Sequence, residues 1–84
     1  MLYLADTDGR PVDDLDSGPW LDAFALRDGL TLIDSAESRS VVYHAVKGLI
    51  PEGTPLLVAE LADDPKFKGM APGAAAWLAA RAGR

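Results

Sequence analysis

Short apolar runs separated by polar turns predict three strands along this chain. Residues 1–5 are apolar and aromatic, residues 30–33 contain a β-branched threonine, and residues 56–59 are almost continuously apolar. A continuous apolar run is typical of a strand covered on both faces, so we expect residues 56–59 near the centre of a sheet. Residues 10–12 could form a brief returning strand at an edge, because Pro11 cannot donate to a sheet ladder.

Three helices are predicted between and after these strands. The first has Pro19 in its first turn and ends at Gly29; its apolar face carries Trp20, Leu21 and Phe24. The second is capped by Asp34, with Glu37 three residues on; its apolar positions are Val42, Ala45, Val46 and Leu49. The third opens at Pro72, and its apolar anchors are Trp77 and Leu78.

This alternation predicts an α/β fold with a small mixed or parallel sheet of three to four strands, packed with about three helices. The main alternative is a ferredoxin-like α+β arrangement. We expect one domain over residues 1–84, since 84 residues are too few for two independent cores. The single core is itself small, so a partner subunit would add stability.

Composition narrows the class of protein. The chain has no cysteine, which excludes disulfides, thiol nucleophiles and cysteine-ligated metal sites. It has no apolar run close to the ~20 residues that a membrane-spanning helix needs. Residues 1–6 lack the basic region and long apolar core of a signal peptide. We therefore expect a cytoplasmic protein that does not bind membranes.

The charge balance bears on partners. The formal net charge is −5, which disfavours nucleic acid, although a local basic patch could still bind it. Residues 1–37 hold nine acids and two bases, whereas residues 38–84 hold four acids and six bases. Unequal halves of this kind could meet head-to-tail or across a dimer, and together with the small core they lead us to expect a homodimer. The alternative is a chance distribution that only serves solubility.

The second predicted helix carries basic and aromatic residues on its polar face. Arg39, Tyr43 and Lys47 recur at i, i+4 and i+8, and Ser40 and His44 flank them. The two cations could bind a phosphate, a carboxylate or an acidic partner, and His44 could titrate near neutrality. These five residues are candidate ligand-binding residues. The alternative is a solvated helix face.

A second candidate surface lies in the loop before the third helix, where Phe67 stands between Lys66 and Lys68. An aromatic ring between two bases can stack on a nucleotide ring while the lysines contact phosphate. These three residues are therefore further ligand-binding candidates. The alternative is that Phe67 packs on the core and both lysines stay solvated.

Aspartates follow the predicted strands. If the sheet is parallel, the carboxyl ends of its strands share one edge, where ligands bind in open α/β sheets. Asp6, Asp8 and Asp63 would then converge and could hold Mg²⁺, which prefers carboxylate oxygens. This arrangement predicts a metal-assisted phosphoryl-transfer or nuclease-like enzyme as the alternative function.

Part of this pattern is similar to a known family. The sequence Asp-Thr-Asp-Gly over residues 6–9, after an apolar strand, resembles the first motif of haloacid-dehalogenase-type phosphatases. The resemblance implies Asp6 as nucleophile and Asp8 as general acid. It also implies Ser35 as the hydroxyl of the second motif and residues 63–64 as the acidic metal-binding motif. Asp-x-Asp-Gly is also very common in plain hairpin turns, which is the favoured interpretation, and the chain is short for that family's sheet and cap.

The sequence as a whole favours a small soluble binding or assembly module that forms homo-oligomers and needs no cofactor. Its expected ligand is an anionic small molecule or an acidic protein. The expected recognition surface combines the basic and aromatic helix face with the Lys-Phe-Lys loop. The magnesium-dependent enzyme remains the alternative, and the sequence leaves open whether the protein is an enzyme.

Overall fold

The computed structural model describes residues 1–81, which form four strands and two α-helices. The strands are β1 (Leu2–Asp6), β2 (Asp22–Arg27), β3 (Leu30–Asp34) and β4 (Leu57–Glu60), and the helices are α1 (Arg39–Lys47) and α2 (Ala74–Ala79). A short 3-10 turn precedes β2 at Leu15–Ser17. The prediction is confirmed in its general form, a small mixed α/β fold, but residues 1–81 contain two α-helices instead of about three.

The sheet has the order β2-β3-β1-β4, and every neighbouring pair is antiparallel. The prediction of a mixed or parallel sheet is therefore wrong. The sheet is antiparallel because β1 inserts between β3 and β4. The two strands joined through α1 are therefore not neighbours and do not pair. The element order β-β-β-α-β-α also differs from the β-α-β-β-α-β order of a ferredoxin-like fold.

Strand β2 occupies most of the segment predicted as the first helix, so that prediction is wrong. Asp28 and Gly29 form a two-residue turn, with Gly29 at φ 82°, and this turn folds β2 back onto β3. An Asp-Gly pair between two strands is a strong hairpin signal. The pairing buries Leu26, and it outweighs the helical spacing of the residues upstream.

The sheet buries residues on both of its faces, and neighbouring residues of β1 and β3 point to opposite sides. The core on the α2 side consists of Leu2, Leu26, Leu32, Ala74 and Leu78. The core on the α1 side consists of Tyr3, Ala5, Ile33, Val42 and Val46. The two helices therefore cover opposite faces of the sheet.

Helix α1 lies within the predicted second helix but begins later. Asp34 does not cap it, because Asp34 is the last residue of β3. The cap is Ser38, whose hydroxyl accepts a hydrogen bond from the amide of Val41 at 3.2 Å. The predicted apolar spacing is confirmed, since Val42 and Val46 are fully buried against the sheet.

Strand β4 matches the predicted strand in sequence but not in position. It lies at the edge of the sheet next to β1, so it is not a central strand. Leu57 is 59% exposed, which shows that β4 is not covered on both faces. Residues 10–12, predicted as a brief edge strand, lie in a loop. Within residues 1–81, neither helix is long and apolar enough to cross a bilayer.

The end of α2 is attached to the sheet by a polar cluster. Arg81 pairs with Asp22 at 2.6 Å and with Asp34 at 3.4 Å. Its guanidinium lies 3.9 Å above the Trp77 ring, and the Trp77 indole donates a hydrogen bond to Asp22 at 3.1 Å. The same residues therefore fix α2 against both β2 and β3.

The turn at Gly29 allows a close approach that a larger residue would prevent. A methyl group on Gly29 would lie 2.2 Å from the amide nitrogen of Gly9, and φ at Gly29 is positive. We expect Gly29→Ala to lower the free energy of unfolding by about 2–5 kcal/mol, from the left-handed backbone and the overlap together. Urea-induced unfolding measures this loss.

Gly53→Ala is the matched control, because φ at Gly53 is 87° and a methyl group there meets nothing within 4 Å. It should cost only about 1–2 kcal/mol, the strain of the left-handed backbone alone. If the two variants lower the free energy of unfolding equally, the close approach of Gly29 to Gly9 is contradicted.

Candidate functional site

A groove of about 700 Å³ lies between α1 and the edge strand β4. The residues that determine its chemistry come from three elements and are Tyr3, Arg39, Ser40, Tyr43, Val58 and Glu60. It therefore combines a cation, a carboxylate, hydroxyl groups and an apolar side wall. The groove lies on the α1 face of the sheet, over β1 and the edge strand β4.

Helical spacing explains why α1 presents its basic and aromatic residues to this groove. Val42 and Val46 are buried and orient the helix on the sheet. Arg39 and Tyr43 are one turn apart on the neighbouring flank, so both side chains reach the groove. The core contacts of α1 thus determine which of its polar residues face β4.

Tyr3 forms the floor of the groove and is held in one position. Its ring is fully buried, and its hydroxyl donates a hydrogen bond to the carbonyl oxygen of Glu37 at 2.6 Å. Burial raises the pKa of the Tyr3 hydroxyl, and the nearby negative charge of Glu60 raises that pKa further, whereas Arg39 lowers it. The floor is therefore neutral at physiological pH, and the charged side chains of the lining are Arg39 and Glu60.

The structure brings together three of the five predicted residues of the helix face. Arg39, Ser40 and Tyr43 line the groove. His44 is exposed beside it and contacts Tyr43 edge to face, with ring centroids 5.2 Å apart. Lys47, one turn beyond Tyr43, is also exposed and does not line the groove.

The Lys-Phe-Lys loop is not part of this groove, because it lies on the opposite face of the sheet. Phe67 packs against the core on the α2 side, and it lines a shallow pocket with Lys66 and α2. Lys66 and Lys68 are exposed. The expected recognition surface that joins this loop to the α1 face is therefore not formed, since the sheet separates the two.

The three aspartates predicted as a metal site do not converge. Asp6 pairs with Leu57 at the start of β4, whereas Asp63 follows the last residue of β4. β4 alone separates the two sites by about 10 Å. The prediction of a shared carboxyl edge is wrong, because β1 runs antiparallel to both β3 and β4. Among residues 1–81, no three or more His, Cys, Asp or Glu side chains lie close enough together to hold a metal ion. Magnesium binding stays a prediction, without the geometry that suggested it.

The phosphatase-like motif forms a tight turn. The amide of Asp8 donates to the Asp6 carboxylate at 2.9 Å, and the amide of Thr7 donates to the carbonyl of Gly29 at 2.8 Å. Ser35 lies at the other end of β3, where its hydroxyl donates to the carbonyl of Pro19 at 2.8 Å. Ser35 and residues 63–64 are therefore distant from Asp6, unlike the arrangement that the resemblance implies.

A second cavity, of about 620 Å³, lies at the end of the sheet where β4 ends. Its apolar lining includes Leu2, Leu21 and Leu61, and its polar lining includes Asp34 and Arg81. Leu21 is 78% exposed at its rim. Sequence analysis did not identify this cavity, nor Val58 and Glu60 of the groove. Val58 and Glu60 line the groove because β4 is an edge strand, and that position depends on long-range pairing.

Comparisons with known proteins provide no functional guide. The chain matches no protein-family model, no curated protein and no solved structure. The geometry of the described residues therefore carries the functional argument.

The buried hydroxyl of Tyr3 leads to a prediction about alkaline stability. The pKa of Tyr3 is higher in the folded state than in the unfolded state, so Tyr3 contributes stability while its hydroxyl is protonated. This contribution is fully present below pH about 10 and is lost as the pH rises towards the folded-state pKa. Tyr3→Phe removes the hydrogen bond to Glu37 and should cost about 0.5–1.5 kcal/mol at neutral pH. The difference from wild type should shrink above pH 10 in urea unfolding.

Tyr43→Phe is the control, since it keeps Tyr3 and should retain the wild-type loss of stability at alkaline pH. A difference between wild type and Tyr3→Phe that stays constant up to pH 11 would contradict the raised pKa of Tyr3.

Proposed function

We propose that this chain is a non-catalytic binding module that recognises an acidic segment of a protein partner in the groove between α1 and β4. The observation that carries the proposal is that Arg39 and Tyr43 line one groove with side chains of the edge strand β4. The guanidinium offers a planar set of donors that suits a carboxylate, and the tyrosine ring offers apolar area with a polar tip.

The shape of the groove favours an extended segment as the ligand. An open groove beside an edge strand exposes backbone groups over several residues, whereas a small anion would need only the Arg39 end. The hydroxyl of Ser40 and the side chain of Val58 line the same groove and extend the surface beyond the cation. A segment with carboxylates at alternate positions would place one of them near Arg39.

The charge of the whole molecule is consistent with selective recognition of this kind. With a net charge of −5, the protein repels acidic partners at long range. Binding of an acidic segment then depends on the local field of Arg39, whose contribution is strongest at low ionic strength. The proposal therefore predicts that a single charge on α1 controls affinity.

An acetylated glutamate-rich peptide tests this prediction by titration, with the protein's backbone amide shifts as the readout. Amides around Arg39, Tyr43 and Val58 should shift as the peptide is added, and amides on the α2 face should not. Arg39→Glu should reduce the affinity at least about tenfold, because it removes a charge-assisted hydrogen bond.

Lys68→Glu provides a matched control, since it changes the net charge equally but lies on the other face of the sheet. It should leave the affinity within about twofold of wild type. Equal weakening by both substitutions would mean that only the overall charge matters, and shifts centred elsewhere would reject the groove as the binding site.

A further inference from the structure

The outer edge of β4 has backbone groups that no strand within residues 1–81 pairs with. The amide of Leu61 donates to the carbonyl of Leu2 at 2.8 Å, so the backbone groups of Leu61 point towards β1. Because these directions alternate along a strand, Ala59 also faces β1, and Val58 and Glu60 direct their N–H and C=O groups outwards. The edge can therefore accept another strand.

The two edges of the sheet are not equivalent. At the β2 edge the amide of Ala71 donates to the carbonyl of Leu26 at 2.8 Å, so the chain itself covers part of that edge. Strand β4 has the sequence Leu-Val-Ala-Glu, with neither lysine nor proline, the residues that commonly protect an exposed edge. Its first residue, Leu57, exposes 59% of its surface.

We propose that a second copy of this chain binds at this edge, with β4 of each copy paired antiparallel about a two-fold axis. Val58 lies opposite the partner subunit's Glu60, and Ala59 lies opposite the partner subunit's Ala59. This inference rests on the proposed function in one respect, because it requires that the groove binds an acidic group. In the dimer that group is the partner subunit's Glu60.

Apolar complementarity on the α2 face favours this register. Leu57, Ala59 and Leu61 point to that face, because their neighbours across β1 are Asp6, Leu4 and Leu2. In the proposed register Leu57 lies beside the partner subunit's Leu61, next to the cavity that Leu61 lines. The two-fold axis repeats this contact, so both exposed leucines are covered.

Charge complementarity on the α1 face favours the same register. The side chain of Val58 is on that face, since it lies across from Ala5 in the α1-side core. The partner subunit's Glu60, which is opposite Val58, therefore enters the groove that Arg39 lines. Arg39 of each groove then lies near two carboxylates, the chain's own Glu60 and that of the other copy, and it can pair with either.

A cysteine crosslink tests both the contact and the register. The natural chain has no cysteine, so Ala59→Cys places one thiol in each copy. In a non-hydrogen-bonded antiparallel pair the Cα atoms are about 4.5 Å apart, which suits a disulfide. Under mild oxidation at a concentration where the protein is dimeric, most of the Ala59→Cys protein should become a disulfide-linked dimer.

Val41→Cys is the control, since Val41 is 41% exposed on α1 and is away from the proposed axis. It should crosslink at least about tenfold more slowly, because its thiols meet only by collision. Similar rates for the two variants, or a dimer that Ala59→Cys does not crosslink, would overturn the proposed pairing.

Sedimentation equilibrium of the cysteine-free protein measures the association itself. Wild type should approach twice the monomer mass of 8.9 kDa as its concentration rises. Leu57→Lys replaces an exposed side chain, so the monomer should stay folded, and dimerisation should weaken about 100-fold because the symmetry doubles the loss. A wild-type protein that stays monomeric at millimolar concentration rejects the inference.

Failure of this inference and failure of the proposed function give different results. If the protein stays monomeric but binds the glutamate-rich peptide in an Arg39-dependent way, the groove has an acidic ligand other than a second copy. If it dimerises through Ala59, Arg39→Glu leaves dimerisation unchanged and the glutamate-rich peptide does not bind, edge pairing holds and recognition of acidic groups fails. If Arg39→Glu weakens the dimer at least about tenfold and Lys68→Glu does not, both hold.

Discussion

Antiparallel pairing of β1 with two neighbours is the constraint on which this structure depends. β1 bonds β3 on one side and β4 on the other, and its side chains alternate between the two cores. Tyr3 and Ala5 pack under α1, whereas Leu2 belongs to the core under α2. This arrangement separates the two strands joined through α1, and it leaves β4 with a free edge.

The location of every candidate site follows from that arrangement. The direction of β1 sends Asp6 and Asp63 to opposite ends of the sheet. The two helices cover opposite faces, so the basic residues of α1 and those near Lys66 cannot form one surface. The free edge lies beside the flank of α1 that carries Arg39, and this proximity gives the groove its chemistry.

The spacing of apolar residues along the sequence predicts the elements whose formation depends mainly on interactions between residues close in the chain. The spacing of Val42 and Val46 predicted α1, because burying one stripe of a helix needs only that spacing. The apolar spacing around Phe24 fits a helix as well as a strand, and only pairing with β3 decides between them. Strand order and direction depend on long-range pairing, so the sequence did not reveal that the sheet is antiparallel.

The candidate site was predicted in part for the same reason. Arg39, Ser40 and Tyr43 were identified from helical spacing, and the structure places them in one groove. Val58 and Glu60 were missed because an apolar strand at an edge resembles a buried strand when only the sequence is considered. Phe67 was a candidate because of its flanking lysines, and the structure packs it against the core on the α2 side.

Hydrogen–deuterium exchange of the β4 amides, measured by NMR at low and high protein concentration, tests the central claim most directly. The amides of Ala59 and Leu61 point to β1 and should be protected at both concentrations. The amides of Val58 and Glu60 should exchange rapidly in dilute protein and become protected as the concentration rises. Equal protection of all four amides in dilute protein would contradict a free edge, and rapid exchange of Val58 and Glu60 at every concentration would contradict pairing with a second copy.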